Sequence, residues 1–290
     1  MIDSCAGADY PRPVPREVRD VNVRNARIRA VEAGRGNAQT LLLIHGFLVT
    51  HAEWDDVLDE LAQSFHVIAP DLPGFGDSEK PSPARYPYNI EAFAESMADL
   101  LAAFEVGRVH VMGHSLGGAI GLTIAAQHPE LVNRLIVVDP LSYPAPLSFK
   151  AKLPLYPIVG PFMFKQLYGR SMFRAYFRDD VFQKGVPFDL ARVDEFYDRF
   201  NSPAARESAY ATLRAVLDTR ALVARLGRVR APTLVIWGRE DRLFPVAHAG
   251  RLAKELENAR LEIMDTGHSP AEERPEQFLQ TALQFLQGRR

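Results

Sequence analysis

The alternation of short apolar segments with longer segments of helical period is the feature of this sequence that most restricts its fold. Apolar runs of strand length end at His45, Asp71, Gly113 and Asp139, and the runs TLVIW and LEIMD lie near the C-terminus. Such alternation predicts an α/β protein whose central sheet is mostly parallel and flanked by helices. Two earlier segments, 18–23 and 26–34, predict a hairpin at one sheet edge.

Two of the intervening segments have clear helical periodicity. In the first, the apolar residues that share one helical face are Trp54, Val57, Leu58, Leu61 and Phe65. The second covers 90–104 and follows Asn89, a residue type that caps helix N-termini well. We expect Trp54 to be a core residue.

The alternation of strand-like and helical segments stops between Asp139 and Thr233, where no further buried strand is evident. Residues 143–200 contain fourteen of the twenty-eight aromatic residues in one fifth of the chain. We interpret this stretch as an inserted helical cap. The predicted organisation is therefore a core of residues 1–140 and 216–290 with a cap insertion of residues 141–215.

Composition excludes several functional classes. Thirty-four basic and thirty-six acidic residues give a formal charge of −2, without the basic clusters that nucleic-acid binding needs. The single cysteine, Cys5, cannot form an internal disulfide. No apolar run approaches the ~20 residues needed to span a bilayer, and the N-terminus lacks a signal-peptide pattern. We therefore expect a cytoplasmic protein without a transmembrane segment; the sequence carries no signal for an oligomeric state.

The segment Gly113-His114-Ser115-Leu116-Gly117 fits the pattern G-x-S-x-G at the junction of a predicted strand and a Gly- and Ala-rich helix. A serine on such a tight turn adopts a strained backbone and presents its hydroxyl above the sheet, at the positive end of the helix. A serine hydroxyl needs a base to accept its proton and a third group to orient that base.

Candidates for both partners lie downstream at the ends of predicted strands. Asp241 follows TLVIW and His268 follows LEIMD. The chain order is therefore Ser, Asp, His, with Ser115 as nucleophile. Asp139, which also follows a strand, is an alternative acid, although we interpret it as a hydrogen-bonding residue of its loop. The histidines show no metal-ligand spacing, so we expect neither a metal ion nor another cofactor.

On these motifs, the sequence resembles the capped serine α/β-hydrolases from about Arg27 to the C-terminus. The resemblance implies the α/β-hydrolase fold and an oxyanion hole formed by the backbone N–H groups of Phe47 and Leu116. The segment PDLPGFGDS, 70–78, also resembles the family but does not distinguish its esterases from its other members. We expect His114 to pack inside and His45 to shape its loop.

The identity of the nucleophile and the sequence of the loop at Phe47 reduce the number of activities that we expect for this chain. Dehalogenases and epoxide hydrolases of this family carry aspartate where this chain has Ser115. The loop at Phe47 lacks both the H-G-G-P-G of proline iminopeptidases and the Gly-Pro-Gly usual in carbon–carbon bond hydrolases. We therefore predict a carboxylesterase or lipase-type enzyme whose partner is a small, apolar ester. Phe244 and the cap aromatics are candidates for its acyl pocket. The alternatives are a carbon–carbon bond hydrolase or perhydrolase with the same residues, or a ligand-binding protein without catalysis.

Overall fold

A computed structural model describes residues 14–144, 153–157 and 159–288, and Cys5 lies outside them. The eight strands are β1 (Arg16–Val23), β2 (Ala26–Ala33), β3 (Thr40–Ile44), β4 (His66–Pro70), β5 (Val109–His114), β6 (Val132–Val138), β7 (Thr233–Gly238) and β8 (Ala259–Met264). They form one sheet in the order β1-β2-β4-β3-β5-β6-β7-β8. The predicted α/β fold is therefore confirmed.

The sheet is parallel from β4 across to β8, and the predicted edge hairpin is the antiparallel pair β1 and β2. Strand β2 also pairs antiparallel with β4. Strand β6 begins at Val132, three residues before the predicted start. The half-buried Asn133 and Arg134 interrupt the apolar run there, but pairing of Val132 with Val109 keeps the segment in the sheet.

The helices are α1 (Asp55–Ala62), α2 (Ile90–Ala103), α3 (Leu116–Gln127), α4 (Val159–Phe162), α5 (Arg170–Tyr176), α6 (Leu190–Phe200), α7 (Pro203–Val216), α8 (Arg220–Val223), α9 (Ala247–Glu255), α10 (Pro270–Glu273) and α11 (Pro275–Leu286). Turns of 3-10 helix cover His51–Trp54, Leu153–Leu155 and Leu226–Arg228, and π-helical turns cover Met163–Leu167 and Phe177–Val181.

Alternate residues of each central strand face opposite sides of the sheet, and each side has its own core. Leu41 and Leu43 of β3 face α1 and α11, where the Trp54 ring lies 6.3 Å from that of Phe278. Leu42 and Ile44 face α2, α3 and α9. The predicted burial of Trp54 is confirmed, since its side chain has no exposed surface. The predicted N-cap is also present, because Asn89 Oδ1 accepts a hydrogen bond from the backbone N–H of Ala92 (2.8 Å).

Between β6 and β7, the described residues form helices and turns but no strand. Their aromatic side chains pack mainly on each other: the Phe173 ring lies 5.1 Å from Phe177, 5.5 Å from Tyr197 and 5.6 Å from Phe200. We call residues 153–157 and 159–216 the helical insertion. The predicted domain boundaries at 141 and 216 stay a prediction; the second falls at the last residue of α7.

The helical insertion is hydrogen-bonded to the core beside His268. The backbone N–H of His268 donates to the carbonyl oxygen of Val181 (2.7 Å), and the N–H of Gln183 donates to Glu273 (3.0 Å). Arg192 on α6 also forms an ion pair with Asp56 on α1 (2.6 Å). Among the helices that the structure describes, none combines the length and apolar character needed to cross a membrane.

Candidate active site

Ser115 lies between β5 and α3 with φ 52° and ψ −112°, the left-handed half of the map that non-glycine residues rarely occupy. Its N–H donates to Val138 O (2.9 Å), and its carbonyl oxygen accepts from Ala119 and Leu141. A Cβ on Gly117 would lie 2.1 Å from the carbonyl oxygen of Ile44. This contact explains why a glycine stands two residues after the serine.

His268 follows β8 and is held on one side by Asp241. His268 Nδ1 lies 2.8 Å from Asp241 Oδ2, while Asp241 Oδ1 accepts from the N–H groups of Leu243 (2.8 Å) and Phe244 (3.0 Å). This hydrogen bond leaves Nε2 as the free nitrogen of a neutral imidazole. Nε2 is buried, and it has no hydrogen-bond partner within the described ranges. The Phe244 ring packs edge-on against the imidazole, 5.2 Å between centroids.

Ser115 and His268 line one cavity, which we call the serine cavity. Its lining residues are Phe47, Val49, Glu53, His114, Ser115, Tyr176, Phe177, Val181, His268, Ser269 and Glu272. The contribution of the helical insertion is apolar and aromatic, whereas the wall from the core carries carboxylates and hydroxyls. The predicted roles of Ser115, Asp241 and His268 as nucleophile, acid and base stay predictions, and this is the geometry in which they would act.

The two predicted oxyanion donors flank Ser115. Leu116 is the first residue of α3, so its N–H has no acceptor within the helix. Phe47 lies on the loop after β3, which approaches the serine so closely that a Cβ on Gly46 would lie 3.4 Å from that of Ser115. The oxyanion role of Phe47 and Leu116 stays a prediction.

Asp139, the alternative acid, is fully buried and does not hydrogen-bond the imidazole. Its Oδ1 accepts from the N–H of Gly238 (2.8 Å), while Oδ2 has no donor among the described residues. Burial, together with the charge of Asp241, raises the pKa of Asp139 well above its ordinary value. Burial also opposes ionisation of Asp241, yet the charge and hydrogen bond of His268 hold the pKa of Asp241 below its ordinary value.

Glu53 and His114 form a buried ion pair next to Ser115, and we did not predict it. Glu53 bonds His114 Nδ1 through one oxygen and accepts from the Gly46 N–H through the other (3.0 Å). His114 Nε2 donates to the carbonyl oxygen of His268 (2.7 Å). Burial opposes both charges, but their mutual attraction raises the pKa of His114 and lowers that of Glu53. His114 therefore packs inside as expected and also links the serine turn to the His268 loop.

Glu272 is a second acid of the serine cavity that sequence reasoning missed. Ser269 Oγ donates to it (2.6 Å), and Arg192 of the helical insertion lies 3.5 Å away. Burial and the charge of Glu53 raise the pKa of Glu272 to about 7. No local pattern separates Glu53 or Glu272 from the many exposed acids of the chain, because their burial depends on residues distant in sequence.

The loops after β3 and β4 are joined by two histidines. His45 Nδ1 donates to Gly46 O (2.7 Å), and its Nε2 accepts from the N–H of Leu72 (2.9 Å), so the ring shapes the loop that carries Phe47. Burial lowers the pKa of His45. His51 Nδ1 lies 2.8 Å from the buried carboxylate of Asp71.

A second cavity, the insertion cavity, lies between these loops and helices α6 and α7. Its lining includes Leu48, Val49, Phe75, Phe196 and Phe200, with Arg199 at one side. Val49 lines both cavities.

The described residues contain one group of side chains with metal-ligand spacing, formed by Asp139, Asp241 and His268, whose ligand atoms lie within 4.8 Å of one another. One oxygen of Asp241 and one nitrogen of His268 are already hydrogen-bonded to each other. This group of three side chains therefore includes the hydrogen-bonded pair of Asp241 and His268 described above.

Comparison with known proteins identifies relatives over nearly the whole chain. The sequence profile of the alpha/beta hydrolase fold matches residues 39–275. An uncharacterized protein of Mycobacterium tuberculosis is 34% identical over 93% of this chain and 84% of its own length. The 2-hydroxy-6-oxo-6-(2'-aminophenyl)hexa-2,4-dienoic acid hydrolase of Metapseudomonas resinovorans is 29% identical over 93% of this chain and 91% of its own. Among solved structures, a bacterial membrane phospholipase A superposes with a TM-score of 0.74 at 32% identity, covering 94% of this chain and 86% of that one.

Proposed function

The chain belongs to the α/β-hydrolase fold family, and we propose that it is a serine hydrolase that cleaves carboxylic esters with apolar acyl or alcohol groups through an acyl-enzyme on Ser115. One observation carries this proposal. The Nε2 atom of His268 is buried in the cavity that Ser115 lines and has no partner in the described part of the chain, while Asp241 holds the other ring nitrogen. A buried, unpaired nitrogen is costly unless the site uses it.

In the proposed reaction, His268 Nε2 accepts the Ser115 proton as the hydroxyl oxygen attacks the ester carbonyl carbon. The N–H groups of Phe47 and Leu116 bind the oxyanion of the tetrahedral intermediate, and each such donor lowers the barrier by about 3 kcal/mol. His268 then protonates the leaving alcohol oxygen. Water hydrolyses the acyl-enzyme by the same route, and Asp241 keeps the imidazole in the required tautomer throughout.

The lining of the serine cavity supports a neutral, apolar substrate. Tyr176, Phe177 and Val181 contribute apolar surface from the helical insertion, and the insertion cavity offers further apolar surface beyond Val49. None of the described residues that line the serine cavity is an arginine or a lysine, whereas Glu53 and Glu272 are acids. A substrate carboxylate there would face Glu53 and Glu272, and the His114 cation of the same lining is already paired with Glu53.

A carbon–carbon bond hydrolase is the second candidate, favoured by the similarity to the dienoic acid hydrolase of Metapseudomonas resinovorans. The acidic wall of the serine cavity and the sequence of the loop at Phe47 argue against it, because a dienoate carries a carboxylate. A perhydrolase would use the same residues with peroxide in place of water, and a binding protein would leave Ser115 unreactive.

A fluorophosphonate probe and an ester series test the proposal. We expect covalent labelling of Ser115, abolished in Ser115→Ala but not in Ser96→Ala, a control that removes another buried serine, on α2. We also expect p-nitrophenyl esters of medium chain length to be hydrolysed faster than the acetate. Full esterase activity in Ser115→Ala would refute the mechanism. Turnover of a ring-cleavage dienoate but of no ester would favour the second candidate.

A further inference from the structure

Asp139 and Asp241 bring two carboxyl groups together beside one imidazole. They follow the neighbouring strands β6 and β7, which pair in parallel, so their side chains emerge at the same sheet edge. Asp139 is fully buried, and the Asp241 carboxyl group lies close enough for its charge to raise the pKa of Asp139. One ligand atom from each, together with one from His268, falls within 4.8 Å of the others.

The hydrogen bonds around the pair show which carboxyl group can carry a negative charge. Asp241 accepts from His268 and from the N–H groups of Leu243 and Phe244. Among the described residues, Asp139 accepts one hydrogen bond, from Gly238, and its Oδ2 faces no donor. Two carboxylates at this separation cannot both ionise in a buried site, and the one with fewer donors keeps the proton.

We propose that Asp139 is a positioning residue that acts on His268 through Asp241: its carboxyl group stays protonated and donates a hydrogen bond from Oδ2 to the Asp241 carboxylate. The inference rests on the proposed function only for its use of His268 as base. In this arrangement Asp139 orients the acid and withdraws part of the negative charge that Asp241 presents to the imidazole.

The other charged groups near Asp139 and Asp241 have hydrogen-bond or ion-pair partners of their own. Glu273 is the further carboxyl group that faces Asp139 and His268, and its oxygens accept from the N–H groups of Gly267, Gln183 and Ser269. The ring of His114 lies 4.8 Å from that of His268, with its charge paired to Glu53.

Two substitutions separate a protonated Asp139 from an ionised one. Asp139 has φ 44°, a conformation that asparagine and glycine tolerate but alanine does not, so Asp139→Asn and Asp139→Gly avoid added backbone strain. In Asp139→Asn the side-chain NH2 group takes the place of the protonated carboxyl group, so one neutral hydrogen-bond donor replaces another. Glycine removes the donor without leaving a charge.

The readout is the titration midpoint of the His268 ring, followed by NMR and assigned through its absence in His268→Gln. We expect the midpoint to stay within about 0.3 pH units in Asp139→Asn and to rise by about one unit in Asp139→Gly, because a lost charge-assisted hydrogen bond leaves Asp241 more basic. We also expect Asp139→Gly to lower kcat by up to about 100-fold through misplacement of the imidazole, with partial rescue in Asp139→Asn.

The opposite shift would overturn the inference. If Asp139 is ionised, Asp139→Asn removes a negative charge beside His268, and the titration midpoint falls. An unchanged or lowered midpoint in a folded Asp139→Gly protein would also refute it. The NMR titration needs no substrate, so a protein that hydrolyses no ester but shows the expected midpoints would refute the proposed function and leave this inference standing.

Discussion

The buried ion pair between Glu53 and His114 is open to a quantitative test through Glu53→Gln. The side chains are 2% and 8% exposed, so water screens neither charge. Breaking such a pair costs about 3–5 kcal/mol because one buried charge loses its partner. Glutamine can still accept from Gly46, which preserves about 1 kcal/mol. We therefore expect the free energy of unfolding to fall by about 2–4 kcal/mol near pH 6.

The pH dependence follows from the directions of the two pKa shifts. The lowered pKa of Glu53 adds stability above its ordinary value of 4.5, and this is lost as the pH falls through the shifted value. The raised pKa of His114 adds stability below its ordinary value of 6.5, and this is lost as the pH rises through the shifted value. The effect of Glu53→Gln is therefore largest between these ordinary values and smaller at pH 9.

Urea unfolding at pH 6 and pH 9 measures both quantities. The control is Glu257→Gln, which breaks an exposed ion pair with Arg230 and is expected to cost less than about 1 kcal/mol at either pH. A loss below about 1 kcal/mol at pH 6 for Glu53→Gln, or a loss that grows between pH 6 and pH 9, would refute the reasoning.

Three further substitutions test packing. Gly117→Ala places a methyl group against the Ile44 carbonyl oxygen and is expected to cost about 3 kcal/mol or more in urea unfolding, whereas Gly107→Ala meets no neighbour and serves as its control. Arg206→Met removes a buried cation that donates to the carbonyl oxygens of Phe164, Lys165 and Tyr168, so we expect a loss of about 2–4 kcal/mol in the free energy of unfolding. The control is Arg220→Met, which removes an exposed arginine and is expected to leave the stability unchanged; equal losses in the two variants would contradict this. Phe177→Ala enlarges the serine cavity, so we expect the p-nitrophenyl ester that is hydrolysed fastest to have a longer acyl chain. The control is Phe285→Ala in the core on the other side of the sheet, which is expected to leave that preference unchanged. Each substitution is expected to lower the free energy of unfolding by about 3–5 kcal/mol.

Features with a local cause could be predicted from the sequence. The strands read as apolar runs because both faces of a parallel sheet are buried, and Asn89 caps α2 because a short side chain can reach its N–H groups. Ser115 has the predicted strained backbone, and Gly113 and Gly117, two residues before and after it, lie where other backbone passes too closely for a side chain. The sequence also predicted the meeting of Asp241 and His268, since both follow parallel strands at one sheet edge.

Features that depend on distant contacts could not be predicted. Glu53 is buried because His114 and Gly46 offer partners, and nothing near position 53 signals them. The insertion cavity forms only where α6 and α7 meet the loops after β3 and β4, and helical periodicity alone does not orient those helices.

The hydrogen bonds between the His268 loop and residues 181–183 limit how this protein could be redesigned by exchanging parts. A shortened chain without the helical insertion would leave the His268 N–H without its acceptor and Glu273 without one of its donors. A chimera that takes a foreign insertion must reproduce the backbone of this short segment, whatever its helices contain. Substrate range can therefore be varied through α6 and α7 more safely than through the turn that ends at Val181.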